Sequence, residues 1–95
     1  VVYCITKLIL SKKINNYDTF NIGSNRPIKL KKFIEIVSKN LNTSYNTNFL
    51  PMQQGDVFKS HSDNSKIKKI IGQYKQTSIE NGIKKFISWF LKYYK

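Results

Sequence analysis

Tyr3 and Lys7 stand four residues apart near the start of the chain, a spacing at which a helix sets a phenol beside an ammonium group. A neighbouring cation lowers a phenol's pKa and prepares it to take a proton. The spacing is common, and an exposed helix face accounts for it as simply; we read it that way. His61, the single histidine, lies in the loop sequence KSHSD with no carboxylate at helical spacing, and reads as a solvated side chain. Asp18, Glu35, Asp56, Asp63 and Glu80 are scattered singly, so local spacing gives no support to a paired-carboxylate hydrolase. Asp63 and Glu80 read instead as helix caps. Gly23, Gly55, Gly72 and Gly82 make neither a dinucleotide fingerprint nor a phosphate loop. With one cysteine, Cys4, and no Cys/His cluster, neither an internal disulfide nor a metal site is expected. No catalytic residue and no metal ligand are assigned.

Asp56, in Gln53-Gln54-Gly55-Asp56, differs from the other acids because it follows a glycine in a loop after an apolar segment. A carboxylate there could accept two hydroxyl hydrogen bonds from a ribose, while Gln53 offers an amide donor and acceptor. From the chemistry alone, a turn-forming Gly-Asp dipeptide is the preferred reading.

The elements that would position these residues follow from apolar periodicity. Val1, Ile5, Leu8 and Ile9 predict an amphipathic helix ending near Asn15 and Asn16. Tyr17 to Ile22 predicts a short strand closed by Gly23, Ser24 and Asn25. Leu30, Phe33, Ile34, Val37 and Leu41 predict the core face of a second helix, whose start is poorly capped by Lys29. Tyr45 to Leu50 predicts a second strand, stopped by Pro51, and PMQQGD a loop. Asp63 is placed as the cap of a short helix through Ile70 and Ile71, with Gly72 ending it. Thr77 and Glu80 have capping-box spacing ahead of a last helix buried through Ile79, Ile83, Phe86, Ile87 and Phe90. Two short strands far apart in sequence make a poor sheet alone, so they are expected to join strands absent from this chain.

Composition narrows the partners. Formal charge is +12 over 95 residues, and 40% of the residues are apolar. So short a chain buries only about 60% of its unfolded surface, which leaves stability marginal. Clustered lysines invite a nucleic-acid reading. Against it, sixteen of the seventeen basic residues are lysine, alanine is absent, and Arg26 is the one arginine. That bias is what A/T-rich codons produce on a solvated surface, and arginine is the usual reader of base edges. Nucleic acid is therefore not the expected partner. No segment approaches the ~20 apolar residues of a membrane span. The opening carries its charges after its apolar run, which does not fit a secretory signal, so a cytoplasmic setting is expected. The absence of an initiating methionine suggests a fragment.

Four sequence words occur in fixed order: FNIGSNRPIKLKKFIEIV, LPMQQGDV, SHSDNSKIKKIIG and TSIENGIKKFISWFLKYY. Together they resemble the C-terminal end of extended short-chain dehydrogenase/reductases of the NAD-dependent epimerase/dehydratase family, most closely UDP-glucuronate 4-epimerases. The likeness covers about residues 17 to 95, and VVYCITKLIL resembles the preceding helix of the family. LPMQ-x-GDV discriminates best, since related UDP-galactose epimerases usually carry Arg where Gln53 stands. In the family the Tyr/Lys pair sits mid-chain, behind a nucleotide-binding half, which sets Tyr3 and Lys7 aside. Ser62 and Lys29 depart from the family pattern, and Gln54 stands where proline is frequent.

The resemblance implies an α/β fold class. Residues 1–95 would be the substrate-side portion of an extended Rossmann-type protein, mostly helical with two short strands that complete sheets of a missing part. It implies C4 epimerisation of UDP-glucuronate to UDP-galacturonate through a keto intermediate, with NAD held by the missing N-terminal domain. Contact to the UDP moiety carries over to Gln53 and Asp56, with Asp56 on the ribose. A homodimer is implied for the complete protein, and this portion would be inactive alone. A UDP-galactose-type epimerase or a sugar-nucleotide dehydratase is the nearest alternative. From another class, a basic nucleic-acid-binding module would use Lys12, Lys13, Lys31, Lys32, Lys68, Lys69, Lys84 and Lys85.

Overall fold

The computed structural model describes residues 1–94, and its regular structure is helical: α1 (Val2–Leu10), α2 (Leu30–Leu41), α3 (Ser65–Ile71) and α4 (Ile79–Tyr93). The helices form two compact units. One comprises Val1–Pro27 with Phe58–Gln76 and pairs α1 with α3; the other comprises Ile28–Val57 with 77–94 and pairs α2 with α4.

In the first unit α1 stops at Leu10, five residues before the expected end. Ser11 turns extended (φ −79°, ψ 136°) and its N–H bonds the Leu8 carbonyl at 3.1 Å. Its buried row also differs from expectation. Cys4, 1% exposed, and half-buried Leu8 face inward, whereas Val1, Ile5 and Ile9 are exposed. The i, i+4 spacing puts Cys4 and Leu8 on one stripe. Across from it, Ile67 of α3 is fully buried, which removes its whole side chain from water and contributes about 2 kcal/mol. Asn64, not Asp63, occupies the N-cap of α3, and Gly72 closes the helix with φ +79°, where a side chain would be strained. Asp63 still serves that end, accepting from the backbone N–H of Ser65 at 2.9 Å and from its hydroxyl. Those bonds hold its carboxyl below the usual carboxylate range, the hydroxyl bond most of all.

The second unit has a three-residue core of Ile36, Ile83 and Ile87, with Val37 packed against it. Ile36 was not on the expected face of α2; of that face, Leu30, Phe33 and Leu41 are exposed and Ile34 and Val37 are half-buried. The packing of α4 selects the row one step round the helix. As expected, Lys29 gives α2 no side-chain cap. The cap of α4 is Ser78 rather than Thr77: its hydroxyl accepts from the Asn81 N–H at 3.3 Å, so Glu80 occupies the first turn without closing a capping box.

Neither predicted strand is a strand among the described residues. Residues 17–22 and 45–50 run without ladder pairing. Extended backbone becomes sheet only when a neighbour satisfies its N–H and C=O groups, and the two segments fall in different units. Residues 45–50 are exposed throughout.

Candidate functional site

Within the first unit, α3 grips the segment that precedes Pro27. Buried Asn64 accepts from the Gly23 N–H at 3.3 Å through Oδ1 and donates to the Gly23 carbonyl at 2.7 Å through Nδ2. Its amide thus satisfies both backbone groups of one residue, as a neighbouring strand would. Oδ1 also accepts from the Ser62 hydroxyl at 2.6 Å, and the Ser62 N–H donates to the Ser24 carbonyl at 2.8 Å. This approach requires a glycine, because a Cβ at Gly23 would meet Ser62 Cβ at 2.9 Å. Two residues beyond Asn64, Lys66 pairs with Asp18, donates to the Thr19 carbonyl at 2.7 Å and lies 4.7 Å from the centre of the Phe20 ring. The Lys66 hydrogen bond, then the Thr19 N–H, hold the Asp18 carboxyl below its usual range. None of these partners was identified from sequence. The usable signal was the run Ser62-Asp63-Asn64-Ser65, a cluster of capping residues ahead of an apolar helix.

Gln53 and Asp56 lie in the second unit at the tip of a turn, where the Asp56 N–H donates to the Gln53 carbonyl at 3.2 Å. Gly55 adopts φ +94° with open space around it, which brings Gln53 and Asp56 to opposite ends of one tight bend. Both side chains are exposed, and neither has a hydrogen-bond partner among the described residues. Their amide and carboxylate are free to meet a ligand's hydroxyls.

Tyr3 and Lys7 do meet, but not as an acid–base pair. Lys7 Nζ lies 5.6 Å from the centre of the exposed Tyr3 ring, over its face, and that ring packs against Tyr74 at 6.2 Å. The Tyr74 hydroxyl is buried beside Cys4 without a hydrogen-bond partner among the described residues, and burial raises its pKa. His61 is exposed, and no group of three or more His, Cys, Asp or Glu side chains is placed to hold a metal among the described residues. Within α2, α3 and α4 the two members of each lysine doublet point about 100° apart, so each doublet is spread around its helix. Lys32, Lys39 and Lys84 share a groove with Glu35 and Glu80, a surface of mixed sign. No helix among the described residues is long and apolar enough to cross a membrane.

The residues present do not fit NAD. Among the described residues no glycine-rich turn leads into a helix N-terminus, and positive-φ Gly55 and Gly72 sit at an open bend and at a helix end.

Comparison with known proteins supplies the class. No family model and no solved structure matches the chain. Among curated proteins it is 44% identical over 81 residues to an uncharacterized protein of Methanocaldococcus jannaschii, covering 85% of this chain and 25% of that protein. It is 33% identical over 79 residues to Protein CapI of Staphylococcus aureus, covering 83% and 24%. The chain is homologous to the C-terminal part of nucleotide-sugar epimerases. Its relatives of stated activity are UDP-glucuronate 4-epimerases, including UDP-glucuronate 4-epimerase 1 of Arabidopsis thaliana, 34% identical over 79 residues and covering 82% of this chain and 18% of that protein. The chain thus spans about a quarter or less of the length of these relatives.

Proposed function

We propose that residues 1–95 form the UDP-sugar-binding portion of a UDP-glucuronate 4-epimerase, and that the turn from Gln53 to Asp56 contacts the UDP moiety. The observation that carries this reading is the exposed Gln53–Asp56 turn, placed within a stretch homologous to epimerases. Asp56 would accept the ribose hydroxyls and Gln53 would fix the orientation, which supports catalysis by positioning the sugar rather than by bond-making. NAD and the reacting acid–base groups would belong to polypeptide outside residues 1–95. The segments 17–22 and 45–50 would gain strand partners there, and the complete protein would be a homodimer.

The test fuses this chain, in register, to the remaining three quarters of the Methanocaldococcus jannaschii relative and supplies UDP-glucuronate. Formation of UDP-galacturonate is expected, reduced at least tenfold by Asp56→Ala. Conversion of UDP-galactose alone, or loss of water from the sugar, would move the assignment to a UDP-galactose-type epimerase or a dehydratase.

A further inference from the structure

The second unit carries an apolar groove that its own helices leave open. Phe33, Val37 and Leu41 of α2 form one wall, and Ile79, Phe86 and Phe90 of α4 the other, around a volume of about 510 Å³. Ile83 and Ile87 close its floor, and there the core ends. Two helices cannot cover both sides of such a seam. A layer of helices becomes a core when a further element lies across it.

We propose that this groove seats one amphipathic helix from the polypeptide that the epimerase relatives have and residues 1–95 lack. The inference rests on the epimerase reading, and three observations select the occupant. About three quarters of each relative's length lies outside the stretch that the chain matches, so a large source of apolar surface is at hand. The groove's length fits a helix: Phe33 to Leu41 spans about 12 Å and Ile79 to Phe90 about 16 Å at 1.5 Å per residue, or some three turns. Its walls are apolar side chains, with no charge to specify a polar peptide.

The experiment reads thiol reactivity. Phe86, 60% exposed, becomes the probe as Phe86→Cys in a Cys4→Ser background, with Lys92→Cys as a probe outside the groove. In the 95-residue chain alone both thiols should react freely with a maleimide. In the fusion to the relative's remaining three quarters, Phe86→Cys should react at least tenfold more slowly, while Lys92→Cys should not change. Addition of those three quarters as a separate polypeptide should give the same selective protection. Unchanged Phe86→Cys reactivity in both formats overturns the proposal. Protection that appears in the isolated chain and disappears on dilution assigns the groove to a second copy and overturns it equally. No nucleotide is present, so failure of the UDP assignment leaves this readout unaffected.

Discussion

The side-chain amide of Asn64 bonds both backbone groups of Gly23, accepting from its N–H at 3.3 Å and donating to its carbonyl at 2.7 Å, across 41 residues of sequence. Removing it leaves two backbone groups and the Ser62 hydroxyl without that partner. The Gly23 carbonyl keeps a 3.4 Å bond from the Gln76 amide, so Asn64→Ala should cost about 2 kcal/mol, chiefly from the Gly23 N–H and Ser62 hydroxyl at a site only 3% exposed. Urea unfolding followed by circular dichroism gives the value; a loss below about 0.5 kcal/mol would show that water replaces the amide.

Tyr74→Phe should act in the opposite direction. The hydroxyl is buried beside Cys4 and Gln76 with no hydrogen bond of good geometry among the described residues, so deleting it removes a desolvated group and loses at most a weak contact to those two side chains. The variant should be as stable as the parent or gain up to about 1 kcal/mol in the same assay.

Acid should loosen the grip on residues 18–20. The carboxyl of Asp18 has a folded pKa below its unfolded value, chiefly through the Lys66 hydrogen bond. A group depressed in this way stabilises the fold above the unfolded pKa, near 3.9, and that contribution is lost as pH falls through the folded value. Asp18→Asn should flatten the acid limb of a stability-versus-pH curve and leave stability between pH 6 and 8 nearly level with pH, as in the parent. An unchanged acid limb would assign that limb to other carboxylates such as Asp63, which is depressed in the same direction.

Ile67→Ala should destabilise by about 2–5 kcal/mol, because it empties a fully buried site. Ser78→Ala, which removes the one N-cap side-chain bond among the four helices, should cost about 1 kcal/mol. Gln53→Ala and Asp56→Ala, both in an exposed turn, should each change stability by less than about 0.5 kcal/mol. The last pair separates binding from folding: both should weaken UDP binding to the fused protein, read by calorimetry, about tenfold.

Helix positions, and the existence of an exposed Gln53–Asp56 turn, were legible in the sequence. Periodicity, Pro51, Gly55 and Gly72 are local signals, and local hydrogen bonds and allowed backbone angles act on them directly. The epimerase resemblance was legible too, because four words in fixed order survive even where single residues such as Ser62 and Lys29 depart. Which row is buried was legible for α4, where the expected Ile83 and Ile87 lie in the core, but not for α1 and α2. Periodicity offered Phe33 and Ile34 on α2 and Val1 and Ile5 on α1, but Ile36 and Cys4 are inside, because the partner helix chooses the row it covers. The caps slipped by one residue for a similar reason: Asn64 and Ser78 stand beside Asp63 and Thr77, and sequence spacing does not rank neighbouring polar residues. Residues 17–22 and 45–50 have strand-like composition without strands, since pairing requires a second backbone that composition does not provide. The sequence alone determined the helices, the turn and the epimerase kinship. Tertiary structure decided the buried rows of α1 and α2 and the Asn64 grip on Gly23, because both depend on contacts between residues far apart in the chain.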